Sequence, residues 1–168
     1  MDKKYKLALS AAIATESTNE CVRSALDTKA ANVLGFAGTI MGLLFGFSLF
    51  FFESAETVKQ GANLSITMIL LIGLAILACA IVASLLALRI RNYRTGMGRH
   101  IFLRSLERLD DQSFAVRLIT SYLTAAYHNQ QLNDSKARWL EISFLSLGIG
   151  AILVFVSVAI RIFVFISG

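Results

Sequence analysis

The stretch LSITMILLIGLAILACAIVASLLAL, residues 64–88, decides the fold, because it contains no charged residue and is long enough to cross a membrane. A bilayer core needs about 20 predominantly apolar residues in a helix. Two further uncharged blocks are of similar length, at residues 30–52 and 142–160, and Arg161 follows the second of them. An arginine near the end of a span can reach the interface with its guanidinium, so Arg161 does not exclude a third span.

The composition agrees with a membrane protein. The chain has 168 residues, of which 56% are hydrophobic and 16% charged, whereas soluble domains usually carry about 45–50% apolar and about 25% charged residues. A chain of this length is too short to bury three such helices in the core of a soluble fold. The figures also exclude disordered, collagen-like and disulfide-framework proteins. We therefore predict an all-α membrane protein with three transmembrane helices and a small cytoplasmic helical domain.

The distribution of basic residues predicts the orientation. Lys and Arg number five in residues 1–29 and nine in residues 89–141, but only one in the connection 53–59. The positive-inside rule then places the N-terminus and residues 89–141 in the cytoplasm and the C-terminus outside. The predicted order is a cytoplasmic amphipathic helix 1–29, transmembrane helix 30–52, external loop 53–63, transmembrane helix 64–88, cytoplasmic helical domain 89–139 and transmembrane helix 140–166.

Turn signals divide the predicted cytoplasmic part. Nothing breaks the first helix before the first span, so the two can be continuous. We expect residues 89–94 to extend the second span and residues 95–98 to end that helix. Further helices are predicted at 99–109 and at 114–132, the latter capped by Ser113, with a break at 133–135 before the last helix.

No arrangement of residues predicts catalysis. The two histidines, His100 and His128, and the two cysteines, Cys21 and Cys79, show no metal-ligand spacing. Nucleophile-elbow and phosphate-loop motifs do not occur in the sequence. We predict that the protein is not an enzyme and uses no metal and no cofactor.

Arginines crowd the segment after the second span. Six of them fall between residues 89 and 108, with one acidic residue, Glu107, among them. Guanidinium groups bind phosphate through paired hydrogen bonds, so an anionic ligand is one interpretation. The other is that these arginines fix the orientation and touch anionic lipid, which we prefer for Arg89 and Arg91. The predicted ligand-binding residues are Arg94, Arg99, Arg104 and Arg108.

Two spans carry patterned faces. A glycine every fourth residue in the first span predicts close helix packing, against the second span or against another copy of the chain, by Gly38, Gly42 and Gly46. One face of the third span is polar and ends at an arginine, which predicts pore lining in an oligomer by Ser143, Ser146, Gly150, Ser157 and Arg161. Hydrogen bonding between helices, with an arginine reaching the interface, is the alternative for this stripe.

Two short stretches carry a resemblance to a known family. Residues 27–40, DTKAANVLGFAGTI, resemble the entry to the first span of Pycsar-type transmembrane effectors, and residues 126–129 and 136–139 resemble the region before the family's later helix. SLATT effectors are similar in layout, as is the membrane effector of the Hailong system. The resemblance implies bacterial anti-phage defence, in which a partner nucleotidyltransferase makes a nucleotide signal and the effector permeabilises the inner membrane.

Residues and resemblance together predict a gated pore. We expect a homo-oligomer, most simply a tetramer, which contacts membrane lipid and binds a cyclic nucleotide or a single-stranded DNA oligomer at its cytoplasmic arginines. Opening would dissipate the membrane potential and abort infection. Two other functions stay open: a non-conducting membrane anchor or scaffold for a soluble partner, and a small transporter subunit.

Overall fold

A computed structural model of the chain describes residues 3–53, 60–90 and 92–167. Four helices make up this part of the chain: α1 (Lys3–Glu53), α2 (Gln60–Arg89), α3 (Arg99–Arg108) and α4 (Asp111–Ser167). These ranges contain no strand. Three of the helices, α1, α2 and α4, include segments long and apolar enough to cross a membrane. The predicted all-α class with three membrane helices is therefore confirmed.

Contacts within the chain divide it into two units. The first, here the polar unit, comprises α1 up to Asp27 and the chain from Ile90 to Ala137. The second, the membrane unit, comprises Thr28–Arg89 and the chain from Arg138 onward. Helices α1 and α4 each contribute to both units, because neither helix is interrupted.

The first helix is continuous, as the sequence allowed. Residues 3–29 and the first span form the single helix α1, which ends at Glu53. Most of the predicted external loop 53–63 lies outside the described residues, and α2 begins at Gln60, before the predicted start of the second span at residue 64.

The prediction that residues 89–94 extend the second span is wrong. Helix α2 ends at Arg89, and residues 92–98 are not helical. The reason is tertiary: the amide side chain of Asn129 binds both main-chain polar groups of Arg94, which replaces the hydrogen bonds that a helix would supply.

The predicted break at 133–135 is also wrong, since α4 runs from Asp111 to Ser167 without interruption. Residues that usually favour turns are accommodated here. Asn133 is buried and hydrogen-bonded to other parts of the polar unit, and the Ser135 hydroxyl donates to the Gln131 carbonyl one turn earlier. Polar side chains with such partners do not compete for the hydrogen bonds of the helix.

Helix α4 is capped by Asp110 and not by Ser113. The Ser113 N–H donates to the Asp110 Oδ2 at 3.2 Å, and the Phe114 N–H donates to the Asp110 carbonyl at 2.9 Å. Hydrogen bonds from the side chain and then the backbone of Ser113 lower the pKa of Asp110, since they favour the carboxylate. The cap therefore strengthens α4 above the ordinary aspartate pKa and is lost as the pH falls through the lowered value.

The core of the membrane unit is made largely of small side chains. Helix α1 buries Ala30, Val33 and Ala37, and α2 buries Leu77 and Ala80. Small residues let helix backbones approach closely in lipid, where packing is the main force between helices.

Two glycines lie where α2 and α4 approach each other closely. A Cβ on Gly73 would lie 3.1 Å from the Val154 Cγ2, and a Cβ on Gly150 would lie 2.8 Å from the Leu77 Cγ. Nearby, the hydroxyls of Ser84 and Ser143 lie 2.6 Å apart. The Ser143 hydroxyl also approaches the Ala80 carbonyl at 2.7 Å. A tight apolar contact and a buried hydrogen-bond network thus hold these helices together.

The glycines of the first span do not contribute to this packing. A Cβ on Gly38, Gly42 or Gly46 would meet no described atom of the chain within 4 Å. Among the described residues, the second span therefore does not come close to this glycine face of α1. A role for the glycine stripe between copies stays a prediction.

Alanine substitutions at neighbouring glycines of α4 should have opposite effects. We expect Gly150→Ala to lower the melting temperature of the purified protein in detergent, because the new methyl group would collide with Leu77. Gly148 has no neighbour within 4 Å of an added Cβ, so Gly148→Ala should leave stability unchanged or raise it, as alanine is the better helix former. Equal melting temperatures for the two variants would contradict this packing.

Candidate ligand-binding site

The connection between α2 and α3 is fixed onto α4 by one asparagine. Asn129 is 3% exposed; its Oδ1 accepts the Arg94 N–H at 2.8 Å, and its Nδ2 donates to the Arg94 carbonyl at 2.7 Å. A primary amide can satisfy both main-chain groups of one residue in this way. The backbone of Arg94 is thereby positioned, while its side chain is exposed.

A second buried asparagine joins the same connection to α1. The Tyr93 hydroxyl donates to the Asn133 Oδ1 at 2.6 Å. The Asn133 Nδ2 donates in turn to the Asn19 carbonyl at 3.1 Å, and the Asn19 Nδ2 donates to the Ala126 carbonyl at 3.0 Å. Burial raises the pKa of Tyr93, and the nearby Arg23 charge opposes this only in part. The phenol is therefore protonated at neutral pH, and its hydroxyl can donate the hydrogen bond to Asn133.

Charged groups surround the ring of Tyr93. The Lys136 Nζ lies 2.6 Å from the Asp27 Oδ1, and the side chain of Lys136 is 1% exposed while that of Asp27 is 37% exposed. The Arg23 guanidinium lies 4.3 Å and the Lys136 Nζ 5.4 Å from the centre of the Tyr93 ring. Cations are attracted to aromatic faces, and a buried ammonium needs a carboxylate close by. This cluster ties α1, α4 and the connection together.

Glycine is required at one point of the connection. The Gly96 N–H donates to the Glu16 Oε1 of α1 at 3.1 Å, and a Cβ on Gly96 would lie 2.6 Å from the ring of Tyr122 on α4. A larger residue would push the connection away from α4. Residues 92–98 are thus held by hydrogen bonds to both long helices.

Two adjoining pockets open beside this connection. One, of about 540 Å³, is lined by residues that include His100, Arg104, Ser105 and Arg117. The other, of about 470 Å³, is lined by residues 94–98, Arg117, Thr120 and other residues of α4. Because Arg117 and Ile101 line both, we treat the two as one site, the basic pocket. Its parts have the size of typical small-molecule sites, which is about 300–1,000 Å³.

The chemistry of the basic pocket suits an anion. Arg94, Arg104 and Arg117 line it together with the hydroxyls of Thr120 and Ser121, and none of the described residues that line either part is a carboxylate. Within the part of the chain whose side chains the structure describes, no ion pair involves these arginines. Guanidinium groups can bind a phosphate with paired hydrogen bonds, which hydroxyls and backbone amides can supplement.

The structure brings together some of the arginines that the sequence singled out. Arg94 and Arg104 line the basic pocket, whereas the side chains of Arg99 and Arg108 lie outside the described residues. Arg117 was not predicted from the sequence, since it stands nine residues beyond the arginine-rich segment. The turn predicted after α3 could have indicated Arg117, because a chain reversal there places the start of α4 beside α3. The rings of Phe102 and Phe114 confirm that contact, with centroids 5.4 Å apart.

The polar stripe of the third span faces the interior of the membrane unit. Ser143 and Ser157 are at most 1% exposed, and Gly150 contacts Leu77. The Ser157 hydroxyl donates to the Leu153 carbonyl of its own helix at 2.7 Å. Ser146 is half-buried. These contacts agree with the alternative of hydrogen bonding inside the chain, and pore lining by the stripe stays a prediction.

The carboxylate of Asp27 should stabilise the polar unit more than an ordinary surface carboxylate. Asp27→Asn removes the partner of the buried Lys136 charge, so we expect unfolding to become easier by ~1–3 kcal/mol, less than for a fully buried pair because Asp27 is partly exposed. The exposed Asp134 of α4 is the matched control, and Asp134→Asn should change stability by less than about 0.5 kcal/mol. Chemical unfolding of both variants measures the difference, and similar values would show that the pair contributes little.

Comparison with known protein families finds a match over most of the chain. The model of the Pycsar effector protein domain matches residues 10–163, which include both the basic pocket and the three membrane helices. No curated protein and no solved structure matches the chain. The family match confirms the resemblance noted in the sequence: the chain belongs to the Pycsar effector transmembrane domain family, and it is a membrane effector of anti-phage defence.

Proposed function

We propose that the protein is an oligomeric ion channel of the bacterial inner membrane, controlled by an anionic nucleotide that binds at the basic pocket. The observation that carries the proposal is the set of three arginines, Arg94, Arg104 and Arg117, around one pocket whose described lining residues include no carboxylate. Pycsar effectors respond to cyclic nucleotide signals. A cyclic nucleotide, made by a partner nucleotidyltransferase, is therefore the first candidate ligand, and a single-stranded DNA oligomer is the second.

The contacts of the connecting segment suggest how a ligand would act. Residues 94–98 line the basic pocket, and hydrogen bonds join this segment to α4 through Asn129 and to α1 through Glu16. The same two helices continue into the membrane unit. A ligand that binds one arrangement of this segment more tightly would shift the population of that arrangement.

The proposed pore lies between copies of the chain. Ser143 and Ser157 of the third span are buried inside the chain, so in this arrangement they would not face a lumen. In the most apolar stretches of the three spans, at most 28% of the residues are buried, which leaves wide surfaces for lipid or for other copies. We propose a homo-oligomer, with a tetramer as the first assembly to test.

A non-conducting anchor is the second candidate function, and the burial of Ser143 and Ser157 favours it. An anchor would bring the basic pocket to the membrane without passing ions. Conductance separates the two functions, since only a channel carries current in a planar bilayer made from pure protein and lipid.

Reversing two pocket charges should abolish the ligand response. We expect Arg104→Glu combined with Arg117→Glu to weaken nucleotide binding by at least about 100-fold, because each guanidinium–phosphate hydrogen bond contributes roughly 1.5–3 kcal/mol. Titration calorimetry with 3′,5′-cyclic nucleotides and with a short single-stranded DNA measures binding, and planar-bilayer recording measures ligand-dependent current.

The control is Lys4→Glu combined with Lys6→Glu, which changes the net charge equally at exposed positions of α1 outside the pocket. This variant should bind and conduct like the wild type. Unchanged nucleotide binding in the arginine variant would refute the site. If the wild-type protein carries no current with any of these ligands, the non-conducting anchor is the function that stands.

The orientation is testable through Cys21, which is exposed in the polar unit. In a Cys79→Ser background, a membrane-impermeant maleimide should label Cys21 in inverted membrane vesicles and not in spheroplasts, because the basic polar unit is expected to be cytoplasmic. A Glu56→Cys variant, which also lacks both natural cysteines, should show the opposite pattern. Labelling of Cys21 in intact spheroplasts would reverse the proposed topology.

A further inference from the structure

We propose that the membrane unit contains a binding site for an anionic phospholipid, with an acyl chain in a groove between its helices and the headgroup phosphate at Arg161. This site is separate from the basic pocket and does not depend on the proposed channel. The groove is lined by residues of α1, α2 and α4 that include Phe45, Thr67, Leu71, Ser157, Val158 and Arg161.

The lining of the groove suits a hydrocarbon chain. Its volume is about 250 Å³. Apart from Thr67, Ser157 and Arg161, its lining side chains are apolar. The Ser157 hydroxyl is already bonded to the Leu153 carbonyl, so it does not make the groove polar. An acyl chain meets these walls without losing any hydrogen bond.

The groove is accessible from the side of the membrane unit. Phe45 is 67% exposed and Leu71 is 54% exposed, so the surfaces that border it face outward. In a membrane these surfaces meet lipid tails. An acyl chain can therefore enter the groove laterally from the membrane and needs no aqueous path.

The charge of the groove selects the headgroup. Among the described residues that line it, Arg161 is the one charged residue. It is half-buried. A guanidinium has five N–H donors, so it can keep a contact within the chain and still bind a phosphate in paired fashion.

This site gives the arginine of the third span a role other than pore lining. In the sequence Arg161 ends a polar stripe, but in the structure it lines an apolar groove. Its charge complements a lipid phosphate, and a bound lipid would join α1, α2 and α4 along one surface. Such a lipid stabilises the folded protein by mass action.

The test uses the full-length protein in a zwitterionic detergent, with phosphatidylglycerol and phosphatidylcholine of identical chains as probes. Phosphatidylglycerol at about ten times its half-saturating concentration should raise the melting temperature by about 3–6 °C. Phosphatidylcholine should raise it less, and inorganic phosphate should have no effect because it lacks the chain. Native mass spectrometry should show retained phosphatidylglycerol.

Two variants test the contributions of the lipid headgroup and of the acyl chain separately. Arg161→Gln should raise the half-saturating concentration of phosphatidylglycerol by at least about 10-fold and remove the preference over phosphatidylcholine. Leu71→Trp should weaken both lipids by filling the groove. The control is Arg138→Gln, at an exposed arginine of α4 that does not line the groove, and it should bind lipid like the wild type. Circular dichroism confirms that each variant is helical.

Two results would overturn the site. The first is an unchanged preference for phosphatidylglycerol in Arg161→Gln, which would place the headgroup elsewhere. The second is a change of oligomeric state in Leu71→Trp without any change in lipid binding, which would assign the groove to a second copy of the chain. Neither result bears on nucleotide binding or conductance, so a failure here is distinguishable from a failure of the proposed channel.

Discussion

A row of buried polar side chains on α4 holds the polar unit together. Asn129, Asn133 and Lys136 follow one another at helical spacing, and none is more than 4% exposed. Each would cost about 1–3 kcal/mol or more if it were buried without a partner. Each has partners here: the main chain of Arg94, the Tyr93 hydroxyl with the Asn19 carbonyl, and the Asp27 carboxylate. Among the described side chains, no buried polar atom lacks a hydrogen bond.

The basic pocket depends on this row, because the row fixes the segment that forms one of its walls. Asn129 holds the backbone of Arg94, and Gly96 fits against Tyr122 only because it has no side chain. These constraints bring residues 94–98 to Arg117 of α4. The membrane unit is built differently, since the described parts of its helices meet through small residues and through the serine pair Ser84 and Ser143. Polar contacts specify the first unit, and close packing specifies the second.

Hydrophobic patterning accounts for what the sequence predicted well. Long uncharged blocks have few stable solutions other than helices in a membrane, so the number of spans and the helical class followed from counting residues. The turns were harder. The sequence 133–135 contains residues that favour turns, yet α4 continues, because the partners of Asn133 come from α1 and from the connection after α2. Local propensity contains no information about such distant partners.

The sequence by itself determined the membrane class, the three spans, the concentration of arginine after the second span and the resemblance to the Pycsar effectors. Only the tertiary structure decided which side chains meet. It placed Arg117 beside Arg104, and it turned Ser143 and Ser157 toward the interior of the membrane unit. It also made Gly73 and Gly150, and not the regular stripe of Gly38, Gly42 and Gly46, the points of close helix contact. The physical reason is that periodicity defines the faces of a helix, whereas the rotation and contacts of its neighbours decide which face is covered.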